Sequence, residues 1–386
     1  MTLRYRRSLE KLDPYRPGRP VSEIKRELGL DNVVKLASNE NSMRPSPAAI
    51  KAMTEAIGDV NRYPDGGCYY LRQAVSEKLG VPGDTIIFGN GSDDVILMAI
   101  RAFTEPGDEV IMADPTFLMY RISAISEGAE VVAVPAKGLR YDLAGMREAV
   151  TEKTRIVFIA NPDNPMGCYV TKEELDAFID SMPQDVLIFL DEAYYEFARG
   201  EDYPETIPDV FSRADRNVIV ARTFSKVYGL AGLRLGYGVS RPDIIQALNK
   251  VRDPFNINSV AQAGALAALG DEAYVEKAVG LVSAEKERMF AELGKMDVDA
   301  KPSRTNFILI DTFRDSRQVF EYILKKGVIV REMSGWRLNG YIRVSIGFRE
   351  ENDMFLDMLR EALDAVPRDR MKVCAKGQAG GKGEGK

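Results

Sequence analysis

Between Thr85 and Val239 the chain repeats one pattern, a short apolar run followed by a stretch with helical spacing. The apolar runs occupy 85–88, 109–112, 130–134, 155–159, 186–190, 217–221 and 235–239. Helical spacing marks 95–103, a stretch through Tyr120 and Ile125, and 172–179. A strand that is apolar at successive positions has no solvent face, so both sides must be covered. Parallel neighbours also need a crossover, usually a helix. The pattern therefore predicts an α/β fold built on a mostly parallel sheet with helices on both faces. In such a sheet ligands sit beyond the carboxyl ends of the strands.

The rest of the 386 residues organises around that block. Residues 1–30 are Pro-rich and read as an N-terminal arm. A large domain is expected over 31–270, then a smaller α+β domain over 271–366, entered through a long helix from Glu272 and built from strands near 306–310, 328–330 and 341–346. The arm and the start of the chain are candidates to pack with the smaller domain. The segment 367–386 is Gly-rich, carries six Lys/Arg from Arg368 onward against Asp369 and Glu384, and is expected to be disordered.

A net charge of −6 gives no broad electrostatic case for nucleic acid or membrane, and no run of eighteen uncharged apolar residues exists. A cytoplasmic protein acting on small molecules is the expectation. The chain contains no histidine, which excludes every mechanism that needs an imidazole base and every His-ligated metal. Its three cysteines, Cys68, Cys168 and Cys374, lack metal-site spacing, and no metal is expected. Proton transfer must fall to Lys, Tyr, Asp, Glu, Cys or a cofactor.

Polar clusters stand at four strand ends. After Phe88 comes Gly-Asn-Gly-Ser92-Asp93-Asp, where glycines ahead of a helix N-terminus present N–H groups to an anion, although an ordinary Asn-Gly turn accounts for the same residues. After Ile159 comes Asn161-Pro-Asp-Asn164-Pro-Met-Gly167, in which two Asn-Pro pairs predict a rigid, extended loop that holds Asn164. After Leu190 comes Asp191-Glu-Ala-Tyr194, and a carboxylate closing an apolar run requires a cationic or N–H partner. After Ala221 comes Thr223-Phe-Ser225-Lys226-Val-Tyr-Gly-Leu-Ala-Gly-Leu-Arg234-Leu-Gly236. An amine beside a fixed cation gives up part of its preference for protonation and can react with an aldehyde. One ligand accounts for all four clusters, pyridoxal 5'-phosphate. Its aldehyde needs an amine, its phosphate needs Arg and helix N–H donors, and its pyridine nitrogen needs a carboxylate. Phe117 in Asp114-Pro-Thr-Phe117 is a candidate to stack on the ring, a position that core packing explains equally well.

The ordered set Asn161-Pro-x-Asn-Pro-x-Gly167, Asp191-Glu-Ala-Tyr194 and Ser225-Lys-x3-Leu-Ala-Gly-x-Arg-x-Gly236 resembles the fold-type I, class I/II aminotransferases, over roughly Leu12 to Ala365. Within them the chain is most similar to the histidinol-phosphate aminotransferase branch. That likeness rests on 12–18 (Leu-Asp-Pro-Tyr-Arg-Pro-Gly), 35–41 (Lys-Leu-Ala-Ser-Asn-Glu-Asn), 61–66 (Asn-Arg-Tyr-Pro-Asp-Gly), Arg331 and Arg343. The resemblance implies a homodimer in which Lys226 carries the cofactor covalently, Asp191 pairs with the pyridine nitrogen, and Asn164 and Tyr194 bind the ring hydroxyl. Backbone groups at Ser92 and Asp93, with Ser225, Arg234 and Tyr63 of a second subunit, would hold the cofactor's phosphate, and Thr223 is a further cofactor-binding residue. Tyr15, Asn39, Arg331 and Arg343 would bind the substrates, glutamate and a phosphorylated amino alcohol or an aromatic amino acid. Lys226, Asp191 and Tyr194 are the expected catalytic group. Where family members usually read Asn-Glu-Asn-Pro-x-Gly-Pro this chain has Asn39-Glu-Asn-Ser-Met-Arg-Pro45, and Met166 and Phe255 replace the usual Thr and Tyr. An aromatic or broad-specificity amino acid aminotransferase, a threonine-phosphate decarboxylase and a ligand-binding or regulatory module on the same fold are the alternatives.

Overall fold

The computed structural model describes residues 3–14, 18–200, 202–213 and 215–369. Tyr15 and 370–386, most of the expected tail, lie outside the described residues. The chain divides into two units, one formed by Met1–Tyr15 and Asn41–Gly280, the other by Arg16–Glu40 and Leu281–Lys386.

Unit 1 is built on a seven-stranded sheet: β1 (Ile86–Gly89), β2 (Glu109–Asp114), β3 (Glu130–Pro135), β4 (Thr154–Ala160), β5 (Leu187–Asp191), β6 (Asn217–Thr223) and β7 (Gly236–Val239). The spatial order is β1-β7-β6-β5-β4-β2-β3. Pairings among β2 to β6 are parallel, and β7 runs antiparallel between β6 and β1. Side chains alternate between two cores. Ile188 and Leu190 of β5, with Val218 and Val220 of β6, enter one; Leu187, Phe189, Ile219 and Ala221 enter the other. Burial on both faces is what made these runs continuously apolar.

Two helices matter for the site. Helix α1 (Ser92–Phe103) follows β1 directly, and Gly91 at its N-cap has φ of 89°, with no side chain capping the first turn. Helix α2 (Leu118–Glu127) follows β2 after Phe117. Gly236 opens β7 where β1 ends: a Cβ there would lie 2.5 Å from the Ser92 nitrogen and 2.9 Å from the Arg222 carbonyl oxygen, both backbone atoms. Gly236→Ala is therefore expected to cost about 1–3 kcal/mol through overpacking, read as a lowered midpoint in thermal unfolding.

Unit 2 holds a four-stranded antiparallel sheet ordered Arg331–Glu332, Tyr341–Ser345, Phe307–Asp311 and Asp299–Lys301, with a separate parallel pair of Val34–Lys35 and Val328–Ile329. Helices Val21–Leu28, Ser316–Lys325 and Arg349–Ala365 belong to this unit, and helix Glu272–Leu293 spans the division. Among the described residues no helix is long and apolar enough to cross a membrane.

Candidate active site

The carboxyl ends of β1, β4, β5 and β6 open on one cavity of unit 1. It is lined by Ser92 and Asp93 from α1, Phe117 and Tyr120 from the β2 side, Asn164 from the loop after β4, Asp191 and Tyr194 after β5, and Thr223, Ser225, Lys226 and Arg234 after β6. Every cofactor residue expected from the sequence is here except Tyr63, which is 83% exposed and stacks on Phe255 with ring centroids 4.8 Å apart.

Lys226 is half-buried in a turn that its backbone fixes. The Gly229 N–H donates to its carbonyl at 3.0 Å, and the Leu230 N–H closes back on Phe224 at 3.1 Å. Its Nζ lies 5.7 Å from the centroid of the Tyr194 ring. The anion end of the cavity is formed by the α1 N-terminus, the Ser225 hydroxyl and Arg234. The Arg234 guanidinium donates to Ser225 Oγ at 3.4 Å and pairs with Asp93 at 3.2 Å. Desolvation raises the Asp93 carboxyl above its ordinary range while Arg234 and Lys226 oppose the shift. Gly91 leaves room for the arginine, since a Cβ there would strike Nη2 at 2.5 Å. Uncapped N–H groups, a hydroxyl and a guanidinium are the donor set of a phosphate site.

The same cavity holds a buried carboxylate. Asp191 is buried, accepts the Tyr120 O–H at 2.7 Å through Oδ2 and the Ala193 N–H at 3.1 Å through Oδ1. Burial pushes its pKa up to about 6, although both hydrogen bonds work in the other direction. A buried carboxylate held by neutral donors fits a protonated ring nitrogen. The residues that line this one cavity thus fit pyridoxal phosphate: an anion cradle, a buried carboxylate and an amine.

The loop after β4 differs from the extended segment expected. It folds as a turn around the buried Asp163, whose Oδ1 accepts the hydroxyls of Thr116 and Tyr141, both at 2.7 Å, and whose Oδ2 accepts the Met166 N–H at 3.0 Å. This carboxylate ties the strand end carrying Phe117 to the loop carrying Asn164. Sequence reasoning treated position 163 as a spacer and passed over Tyr120. Behind the cavity the buried pair Arg222–Glu192, at 2.8 Å, joins β6 to the end of β5, and the guanidinium lies 3.4 Å from the Tyr195 ring centroid.

Of the expected substrate residues, Asn39, Arg331 and Arg343 lie in unit 2 and Tyr15 lies outside the described residues. Arg331 and Arg343 are direct cross-strand partners. The Arg331 guanidinium lies 5.1 Å from the Trp336 ring centroid and that of Arg343 lies 5.0 Å from Phe307. Asn39, in the left-handed region at φ 54°, donates its N–H to Ser345 Oγ at 2.8 Å.

Comparison with known proteins agrees with this geometry. The model of the family described as aminotransferase class I and II matches residues 31–359. The chain is 46% identical to the histidinol-phosphate aminotransferase of Moorella thermoacetica over 93% of this chain and 92% of the relative. It is 44% identical to histidinol-phosphate aminotransferase 2 of Carboxydothermus hydrogenoformans over 94% and 99%. Among solved structures, the histidinol-phosphate aminotransferase of Sinorhizobium meliloti in complex with pyridoxal-5'-phosphate superposes with a TM-score of 0.86 at 30% identity, covering 95% of this chain and 99% of that one. A lysine, a carboxylate and an anion cradle meeting at the strand ends, on a chain matched over most of its length, have one explanation: the chain belongs to the class I and II aminotransferase family.

Proposed function

We propose that the chain moves an amino group between glutamate and the oxo form of histidinol phosphate, imidazole acetol phosphate, with pyridoxal 5'-phosphate held in the cavity of unit 1. The observation that carries the cofactor is the buried Asp191, held by two neutral donors, in the same cavity as Lys226 and the Arg234 cradle. The substrate rests on the relatives named for histidinol phosphate.

When bound, the cofactor supplies an electron-withdrawing ring that lets a proton leave the substrate Cα. The chain's residues do the rest. Asp191 holds the proton on the ring nitrogen, and Asn164 and Tyr194 bind the ring hydroxyl. Phe117 covers one face of the ring and excludes water there. The N–H groups of Ser92 and Asp93, the Ser225 hydroxyl and Arg234 would bind the phosphate, with Thr223 beside them in the lining of the cavity. Lys226 Nζ would take and return the proton of the substrate Cα, the acid–base work that a chain without histidine must give to another group. The two substrates use the site in turn, one leaving before the other enters.

Arg331 and Arg343 we assign, with Tyr15 and Asn39, to the substrates. The two arginines stand directly opposite on neighbouring strands, and a guanidinium fork matches carboxylate and phosphate alike. Tyr63 we assign to the cofactor phosphate of a second subunit, which makes a homodimer the active species. Its ring is exposed on unit 1, as are those of Tyr69, Tyr70 and Phe255.

Steady-state rates on histidinol phosphate, phenylalanine and threonine phosphate, each with 2-oxoglutarate, test the substrate. The highest kcat/KM is expected on histidinol phosphate. A higher value on phenylalanine, or CO2 released from threonine phosphate without 2-oxoglutarate, would overturn it.

A further inference from the structure

We infer that Tyr120 is a positioning residue that sets the Asp191 carboxylate against the cofactor's ring nitrogen, an inference that rests on reading the cavity as a pyridoxal phosphate site. Tyr120 stands in the first turn of α2, outside the Asn161–Gly167, Asp191–Tyr194 and Ser225–Gly236 motifs. Its hydroxyl donates to Asp191 Oδ2 at 2.7 Å while the Ala193 N–H takes Oδ1 at 3.1 Å. Each carboxylate oxygen therefore has its own protein donor, and rotation of the group would break both bonds.

The donor is itself fixed by packing. Tyr120 is fully buried, and its ring stacks on Phe158 of β4 with centroids 4.5 Å apart and planes within 8°. Its edge meets Phe117 at 5.5 Å and 83°. One side chain thus touches both the carboxylate and the ring proposed to cover the cofactor face. It also supplies a neutral donor where more negative charge is near: Asp93 on α1 and Asp163 in the loop after β4 both disfavour ionisation of Asp191. A hydroxyl supports the ionised form without adding a cation that would compete with the ring nitrogen. Burial raises the phenol well above its usual range, so it remains a donor wherever the enzyme works.

Tyr120→Phe removes the hydroxyl and keeps both ring contacts. The dissociation constant of pyridoxal 5'-phosphate, measured by fluorescence from pH 5 to 9 on the native protein and on the variant, is the decisive readout. Native binding is expected to weaken as pH falls below about 6, where Asp191 takes up a proton. In the variant this acid limb moves to higher pH, because a bond favouring the carboxylate is gone. The variant's kcat is expected to fall about 10- to 100-fold, the loss of a hydrogen bond to a charged group, with KM within about twofold. Phe158→Leu is the control for packing: its thermal midpoint should fall while the acid limb stays in place. An unmoved acid limb with native kcat in Tyr120→Phe, or an equal displacement in Phe158→Leu, overturns the positioning role. Failure of the native chain to bind the cofactor overturns the underlying reading as well, a result distinct from either.

Discussion

Lys226→Ala is expected to lose turnover by at least about 10⁴-fold while keeping the native fold. Among the described residues Lys226 is the one amine lining the cavity, and the chain has no histidine to replace it in moving a proton. The turn that presents it is closed by backbone bonds, Gly229 N–H to the Lys226 carbonyl and Leu230 N–H to Phe224, which alanine preserves. The stability change should stay within about 0.5 kcal/mol, as for a side chain outside the core. Turnover and the absorption of covalently held cofactor should both vanish, and near-native rates would remove the lysine from the mechanism. Lys226→Arg, which keeps a cation but not a nucleophilic amine, should be equally inactive.

Asp191→Ala is expected to lower kcat by about 10²–10³-fold, the usual loss when a preorganised charge is taken from a water-poor site. Two causes act together. The ring nitrogen loses its counter-charge, and the Tyr120 O–H and Ala193 N–H lose their shared acceptor. Asp191→Asn keeps the shape and one acceptor oxygen but offers an NH2 to a neighbour that is itself a donor, so rescue should be small. Asp191→Glu keeps the charge on a longer stem and should recover part of the rate. Stopped-flow rates with saturating amino donor separate these variants from a change in binding alone. Native rates in Asp191→Ala would show that the carboxylate serves packing only.

Much of this site was legible because it follows strand ends. Runs buried on both faces located β1 to β6, and the polar residue after each run falls at the carboxyl edge, so Ser92, Asn164, Asp191 and Lys226 could be placed together without coordinates. The antiparallel course of β7 was not visible in its apolar pattern. Its cause lies in the link: residues 224–235 hold only a turn and the short 3-10 segment Ala231–Leu233, with no helix to carry a parallel crossover. Tyr120 and Asp163 escaped for another reason. Their roles arise from hydrogen bonds to residues 71 and 47 positions away, and neither breaks the local pattern of its segment. Tyr120 reads as one more apolar-face residue of a helix, and Asp163 as a loop aspartate between two prolines. Their meaning comes from what the fold brings to them.

In the alternating transfer proposed for this chain the cavity itself holds the amino group between substrates. Purified protein saturated with pyridoxal 5'-phosphate, mixed with histidinol phosphate and no oxo acid, tests it most directly. One equivalent of imidazole acetol phosphate per active site is expected, with no further product until 2-oxoglutarate is added and glutamate then appears in equal amount. No product before the oxo acid is added, or release of CO2 in place of amino transfer, would contradict it.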